Sequence, residues 1–101
     1  MSGAGLLIYG ATGYTGELIA RAAVRRGLHP VLAGRTEATV AALARELGCD
    51  YRIASLDAPG ALDRALQGTT VTLHCAGPFA ATSAPMLAAC LRQRSHYLDI
   101  T

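Results

Sequence analysis

The stretch LLIYGATGYTGELIARAAVRRG, residues 6–27, decides how this chain folds. Leu6-Leu7-Ile8-Tyr9 is a continuous apolar run, the pattern of a strand buried on both faces. It stops at Gly10. From Gly13 to Gly27 the pattern turns helical: Leu18, Ile19, Ala22 and Ala23 share one face, and Glu17, Arg21 and Arg25 another. Glu17 stands four residues before Arg21, the favourable direction, and Gly27 supplies a stop. Between strand and helix lies Gly10-Ala11-Thr12-Gly13-Tyr14-Thr15-Gly16, with the spacing GxxGxxG. Such a string says little alone, but a strand-to-helix turn aims free N–H groups and a partial positive charge at any phosphate beside it. Gly10 would let the chain leave the strand sharply. Gly13 would admit a pyrophosphate to the backbone, and Gly16 would let the helix lie close on the sheet. Thr12 and Thr15 would add hydroxyl donors. The same glycines would also serve a tight turn that holds no ligand.

Outward from this turn, glycine and proline cut the chain into strands and helices. Pro30 to Ala33 reads as a second strand, with Pro where a lost N–H is tolerated. Thr36 is placed to cap a helix whose core stripe is Val40, Leu43, Ala44 and Leu47, and Gly48 ends it. Tyr51 to Ala54 is a third strand. Pro59 to Gln67 is a helix with Leu62, Ala65 and Leu66 inward and Asp63 and Arg64 outward. Thr70 to Cys75 is a fourth strand, and Gly77-Pro78 forces a turn. Ser83 to Arg94 is a helix with Pro85 in its first turn, where it does no harm. His96 to Ile100 is a fifth strand. Apolar strands alternating with amphipathic helices imply a parallel sheet covered on both faces, and right-handed crossovers lead to the order 3-2-1-4-5. The fold class is α/β, a doubly wound sheet of about five strands.

Composition narrows the classes. The chain has 101 residues, 51% hydrophobic and 16% charged, with a formal net charge of +2. This suits one small domain over residues 1–101 and argues against disorder. A chain this short buries only about 60–70% of its unfolded surface. All nine basic residues are Arg, dispersed along the chain, which argues against a nucleic-acid partner. Ala occurs twenty times, a bias toward helices. No basic segment precedes the first apolar run, which argues against a signal peptide. Residues 65–91 carry no Asp, Glu, Lys or Arg, but Gly68, Gly77, Pro78 and Pro85 break the stretch, so no membrane span is expected. Three separated cysteines, Cys49, Cys75 and Cys90, point to reduced thiols in a cytoplasmic protein.

The end of the second strand tests which dinucleotide the turn would take. A protein that holds an unphosphorylated ribose places Asp or Glu there. Here the chain reads Ala33-Gly34-Arg35-Thr36. The guanidinium of Arg35 suits a 2′-phosphate, so NADP(H) is the expected cofactor. In the competing arrangement Arg35 is a solvated helix-start residue and Glu37 takes the ribose. Ser55-Leu56-Asp57 ends the third strand near the expected adenine, and Asp57 would either face that ring or cap the next helix. Cys75-Ala76-Gly77-Pro78-Phe79 lies opposite Gly10 across the switch point, toward the nicotinamide ribose.

GATGYTGELIA, LAGRT, HCAGPF and HYLDIT together resemble the N-terminal domain of the saccharopine dehydrogenase-like oxidoreductases, a group that includes trans-acting enoyl reductases. The resemblance runs over essentially the whole chain. It implies a Rossmann NADP(H)-binding domain followed by a larger substrate and dimerisation domain. It also implies cofactor contacts from Gly10, Thr12, Gly13, Tyr14, Thr15 and Arg35, with Ala76, Gly77 and Pro78 nearby. The full-length protein would then transfer hydride to or from a small or lipid-like substrate. A non-enzymatic NADP(H) sensor, or an interaction module that has lost the ligand, would keep the same fold. A sheet ending at its fifth strand, where this fold usually has a sixth, suggests a truncated domain. Its bare edge predicts a homodimer or a missing partner segment.

The remaining polar groups point to little chemistry. His29, His74 and His96 are far apart, and no metal motif is present. His74 and Cys75 point to opposite faces of their strand. Cys75 reads as a buried inert thiol or, failing that, a nucleophile. Tyr97, His96 and Asp99 make either a polar strand end or a source of protons for a substrate. Arg25-Arg26 and Arg92-Arg94 read as solvated helix faces.

Overall fold

A computed structural model of the chain describes residues 5–100. Residues 1–4, on which the signal-peptide argument partly rests, and Thr101 lie outside the described residues. Nine elements alternate: β1 (Leu6–Tyr9), α1 (Tyr14–Arg25), β2 (Val31–Gly34), α2 (Glu37–Leu47), β3 (Tyr51–Ile53), α3 (Pro59–Leu66), β4 (Val71–His74), α4 (Phe79–Gln93) and β5 (His96–Asp99). The strands form one parallel sheet in the order β3-β2-β1-β4-β5, as the alternating pattern predicts. Among the described residues, no helix is long and apolar enough to cross a membrane.

The sheet divides the core in two. Alternate residues of β1 point to opposite faces. Leu7 and Tyr9 pack with Leu62, Leu66, Met86 and Cys90 of α3 and α4, whereas Ile8 packs with Ala20, Val40, Leu43 and Ala44 of α1 and α2. The inner strand β2 is buried throughout, and the edge strands β3 and β5 are half exposed. His74 falls on the α3–α4 face and Cys75 on the other, as alternation requires.

Three local readings need correction. The buried face of α1 is Gly16, Ala20 and Ala23, and Leu18 is 52% exposed. The helix turns its small residues to the sheet because close approach there excludes larger ones. Thr36 stands at the start of α2, but its hydroxyl makes no capping bond; its carbonyl accepts from the Thr39 hydroxyl and the Val40 N–H instead. Most important for the site, α4 begins at Phe79 rather than Ser83. Pro85 therefore lies inside the helix, where it cannot donate to the Ala81 carbonyl one turn back. The Gly77–Pro78 peptide is cis, and Pro78 itself precedes the first helical residue.

One charged residue ties the edge of the sheet to a helix end. Arg52 of β3 donates to the Ala65 and Gln67 carbonyls at 2.6 and 2.8 Å, satisfying acceptors that the end of α3 leaves open. Arg52→Met keeps the aliphatic stem and removes both bonds. Partial exposure of the pair discounts its worth, so the expected loss is about 1–2 kcal/mol. Melting temperature should fall on the order of 10 °C for a domain of this size. An unchanged melting curve would show that water replaces the guanidinium at no cost.

Candidate functional site

The carboxyl ends of the strands surround a cleft of about 680 Å³. It opens between the β1–α1 turn and the β4–α4 turn, where successive crossovers leave in opposite directions. The volume suits a small-molecule site.

The glycine turn forms one wall. Gly10 has φ +81°, and a Cβ there would lie 2.8 Å from the Ala76 nitrogen. The two turns therefore touch, and only glycine permits it. A Cβ on Gly16 would strike the Gly10 carbonyl, with its carbon 2.9 Å away, so α1 packs directly on the backbone of the turn. Gly13 differs. Its φ of −71° and ψ of 166° suit any residue, and among the described residues a Cβ would meet only the Gly10 oxygen, at 3.5 Å. Internal packing gives no reason for glycine at this position. Among the described residues no side chain caps α1, and its first main-chain bond onto the turn runs from the Glu17 N–H to the Gly13 carbonyl. The N–H groups of Tyr14, Thr15 and Gly16 are the donors that a helix start leaves open.

The cleft receives Gly10, Thr12, Gly13, Arg35, Asp57, Ala76, Gly77 and Pro78 from the sequence-derived set. Three others stand apart from its lining. Gly16 is buried beneath the turn, and Tyr14 and Thr15 project outward from the first turn of α1, Tyr14 being 84% exposed. These three can serve a ligand through their backbone. Asp57 does not cap α3, because Ala58 occupies the cap position and no side chain bonds there. Its N–H donates to the Ser55 hydroxyl at 3.2 Å, which leaves the carboxylate exposed at the cleft. Arg35 is exposed just beyond β2 and makes no ion pair among the described residues, whereas Arg21 and Arg92 do. Glu37 does not line the cleft.

Tyr9 forms part of the floor. Its hydroxyl donates to the Ala54 carbonyl at 2.7 Å and so fastens β1 to the end of β3. Burial raises its pKa most; Arg35 lowers it and Asp57 raises it, so both charges reach the same hydroxyl. Cys75 also lines the cleft, and burial pushes its thiol up to about 11, which removes the thiolate a nucleophile needs. Tyr97 donates to Asp99 at 2.7 Å, and both lie outside the cleft lining. His96 is exposed at the start of β5, the end of that strand remote from the cleft.

Helix α4 contributes lining residues that the sequence reading missed: Ala81, Thr82 and Pro85. Starting that helix at Ser83 assigned residues 79–82 to a turn. The overlooked signal is Thr82, four residues after Pro78, a spacing at which threonine bonds back to the preceding turn of a helix. Its hydroxyl lies 2.7 Å from the Ala76 oxygen and 3.1 Å from that of Pro78. His74 adjoins it and is fully buried; burial lowers its pKa and favours the neutral ring. Among the described residues, no three His, Cys, Asp or Glu side chains gather as metal ligands would.

An open glycine, unspent helix-start N–H groups and a free guanidinium at one cleft fit a dinucleotide carrying a 2′-phosphate. The likeness to known proteins agrees. The chain is 30% identical to the trans-acting enoyl reductase of Mycobacterium ulcerans (strain Agy99) over 95% of its own length and 25% of that protein. It is 26% identical to the human saccharopine dehydrogenase-like oxidoreductase, again over 95% of the chain and 27% of the relative. It thus spans about a quarter of the length of these curated relatives. Among solved structures it resembles the NADPH-dependent quinone oxidoreductase QOR2 of Escherichia coli, crystallised with NADPH. The TM-score is 0.75 at 26% identity, over 89% of the chain and 34% of that protein. A family described as the saccharopine dehydrogenase NADP-binding domain matches residues 6–101, from the first residue of β1 to the last of the chain. With that match covering both walls of the cleft, the chain belongs to the saccharopine dehydrogenase NADP-binding domain family.

Proposed function

We propose that this chain is the cofactor-holding part of a longer NADP(H)-dependent oxidoreductase that moves hydride to or from a small or lipid-like substrate. The N–H groups at the start of α1 take the pyrophosphate across Gly13, with hydroxyl help from Thr12. Arg35 holds the 2′-phosphate. Asp57 borders the adenine, and Ala76, Gly77 and Pro78 border the nicotinamide ribose. When bound, the nicotinamide ring supplies or accepts the hydride. The chain's own work is to bind and orient. Residues that would orient a substrate are assigned to the rest of the relatives' length, and a cytoplasmic setting accords with the three free cysteines.

One observation carries this reading: Arg35, with no carboxylate partner among the described residues, stands in the cleft at the end of β2, where a 2′-hydroxyl binder needs an acid. Paired calorimetric titrations of the chain with NADPH and NADH test it. NADPH is expected to bind about ten- to hundredfold more tightly, the worth of a charge-assisted contact. Equal affinities would remove the role of Arg35. Binding of neither by well-folded chain would leave an interaction module in place of a cofactor domain.

A further inference from the structure

We propose that Thr82 is a positioning residue, its hydroxyl holding the Ala76-Gly77-Pro78 turn in the shape the cofactor meets, with buried His74 fixing which way that hydroxyl points. The proposal rests on the NADP(H) reading above and adds a residue to it.

Proton counting carries the argument. The Thr82 oxygen has three neighbours: the Ala76 carbonyl at 2.7 Å, the Pro78 carbonyl at 3.1 Å and His74 Nε2 at 3.1 Å. Carbonyls only accept, and a threonine hydroxyl has one proton to give. That proton goes to the carbonyls, with Ala76 the nearer. His74 must then donate, so its proton lies on Nε2. Buried Nδ1 is left as a bare acceptor with no partner among the described residues. A ring free to turn would relieve that atom. This one is held by Phe79 edge-on at 5.2 Å, Tyr9 at 5.8 Å and Tyr97 at 6.2 Å between ring centres. The cage thus keeps an unsatisfied nitrogen in place so that the other nitrogen can hold Thr82. The clamp closes on a turn that touches Gly10 and so bears on the opposite wall of the cleft as well.

Thr82→Val keeps the shape of the side chain and removes the hydroxyl. NADPH affinity should fall about five- to tenfold, since the turn loses its tie and His74 its acceptor. Adenosine 2′,5′-bisphosphate, which engages only the Gly13 and Arg35 side, should bind within about twofold of wild type. Thr82→Ser should restore NADPH binding. Long-range nitrogen–proton NMR of the wild-type chain should show His74 protonated at Nε2 and bare at Nδ1, a readout that needs no variant to fold. Unchanged NADPH affinity in Thr82→Val overturns the proposal. So does equal weakening of both ligands, or a proton on Nδ1. If the wild-type chain binds neither ligand, the NADP(H) reading itself fails.

Discussion

Gly13→Asp should raise the melting temperature of the chain while removing its ability to bind NADPH. The two effects have one cause. Gly13 is the cap residue of α1, its backbone is extended, and among the described residues a Cβ there meets nothing nearer than 3.5 Å. Aspartate is among the best residues for that position, because its carboxylate accepts from the N–H groups of the first turn and faces the positive end of the helix. The gain over glycine is about 0.5–1 kcal/mol, or a few degrees in melting temperature. A dinucleotide needs the same N–H groups for its pyrophosphate. The carboxylate would fill them and repel the phosphates, so the loss in affinity should exceed about a hundredfold, close to 3 kcal/mol. Calorimetry and thermal melts on one preparation read both effects. Gly16→Ala is the contrast: its Cβ would collide with the backbone of the turn, and neither side can yield, so that variant should lose the fold along with binding. NADPH binding retained in Gly13→Asp would place the phosphates elsewhere. A large drop in melting temperature would mean that the fold itself needs the glycine.

The contrast between these glycines follows from the spacing of the turn. Strand order and the cofactor turn were legible because local rules fix them. A short apolar run ending in GxxGxxG leaves few ways to continue, and parallel pairing follows from right-handed crossovers. The division of labour among the glycines was legible as well: Gly10 and Gly16 are held by close backbone approach, as read, and Gly13, assigned to the pyrophosphate, is the one that contacts among the described residues leave open. What local rules could not supply is the approach of Ala76 to Gly10, residues far apart in the chain. The buried face of α1 was read only in part: Ala23 is buried and Ile19 packs on the core as the periodicity indicates, but Leu18 is exposed and the face is shifted toward Gly16 and Ala20. Likewise Pro85 drew the start of α4 toward itself, because proline favours a first turn, and Ala81 and Thr82 were lost from the site. Here the packing of Phe79, the first residue of α4, against His74 outweighs the preference of one residue.

Arg35→Ala should cost about ten- to hundredfold in NADPH affinity and leave NADH affinity where it was. The asymmetry follows from position. Arg35 is the first residue beyond β2, it lines the cleft, and it has no carboxylate partner among the described residues, so its removal breaks nothing in the fold. Stability should therefore stay within about 0.5 kcal/mol of wild type. The nearby negative charge of Asp57 acts on the same floor hydroxyl, that of Tyr9, with opposite sign. Without Arg35, that carboxylate would face a 2′-phosphate unopposed, which places the expected loss toward the upper end of the range. Salt gives an independent check. The contact is exposed, so raising ionic strength should weaken NADPH binding to wild type more than to Arg35→Ala. The competing assignment makes the opposite forecast. If Glu37 held the ribose, Glu37→Ala would weaken NADH binding and Arg35→Ala would change little. Glu37 lies in the first turn of α2, outside the cleft lining, where its charge favours the helix start.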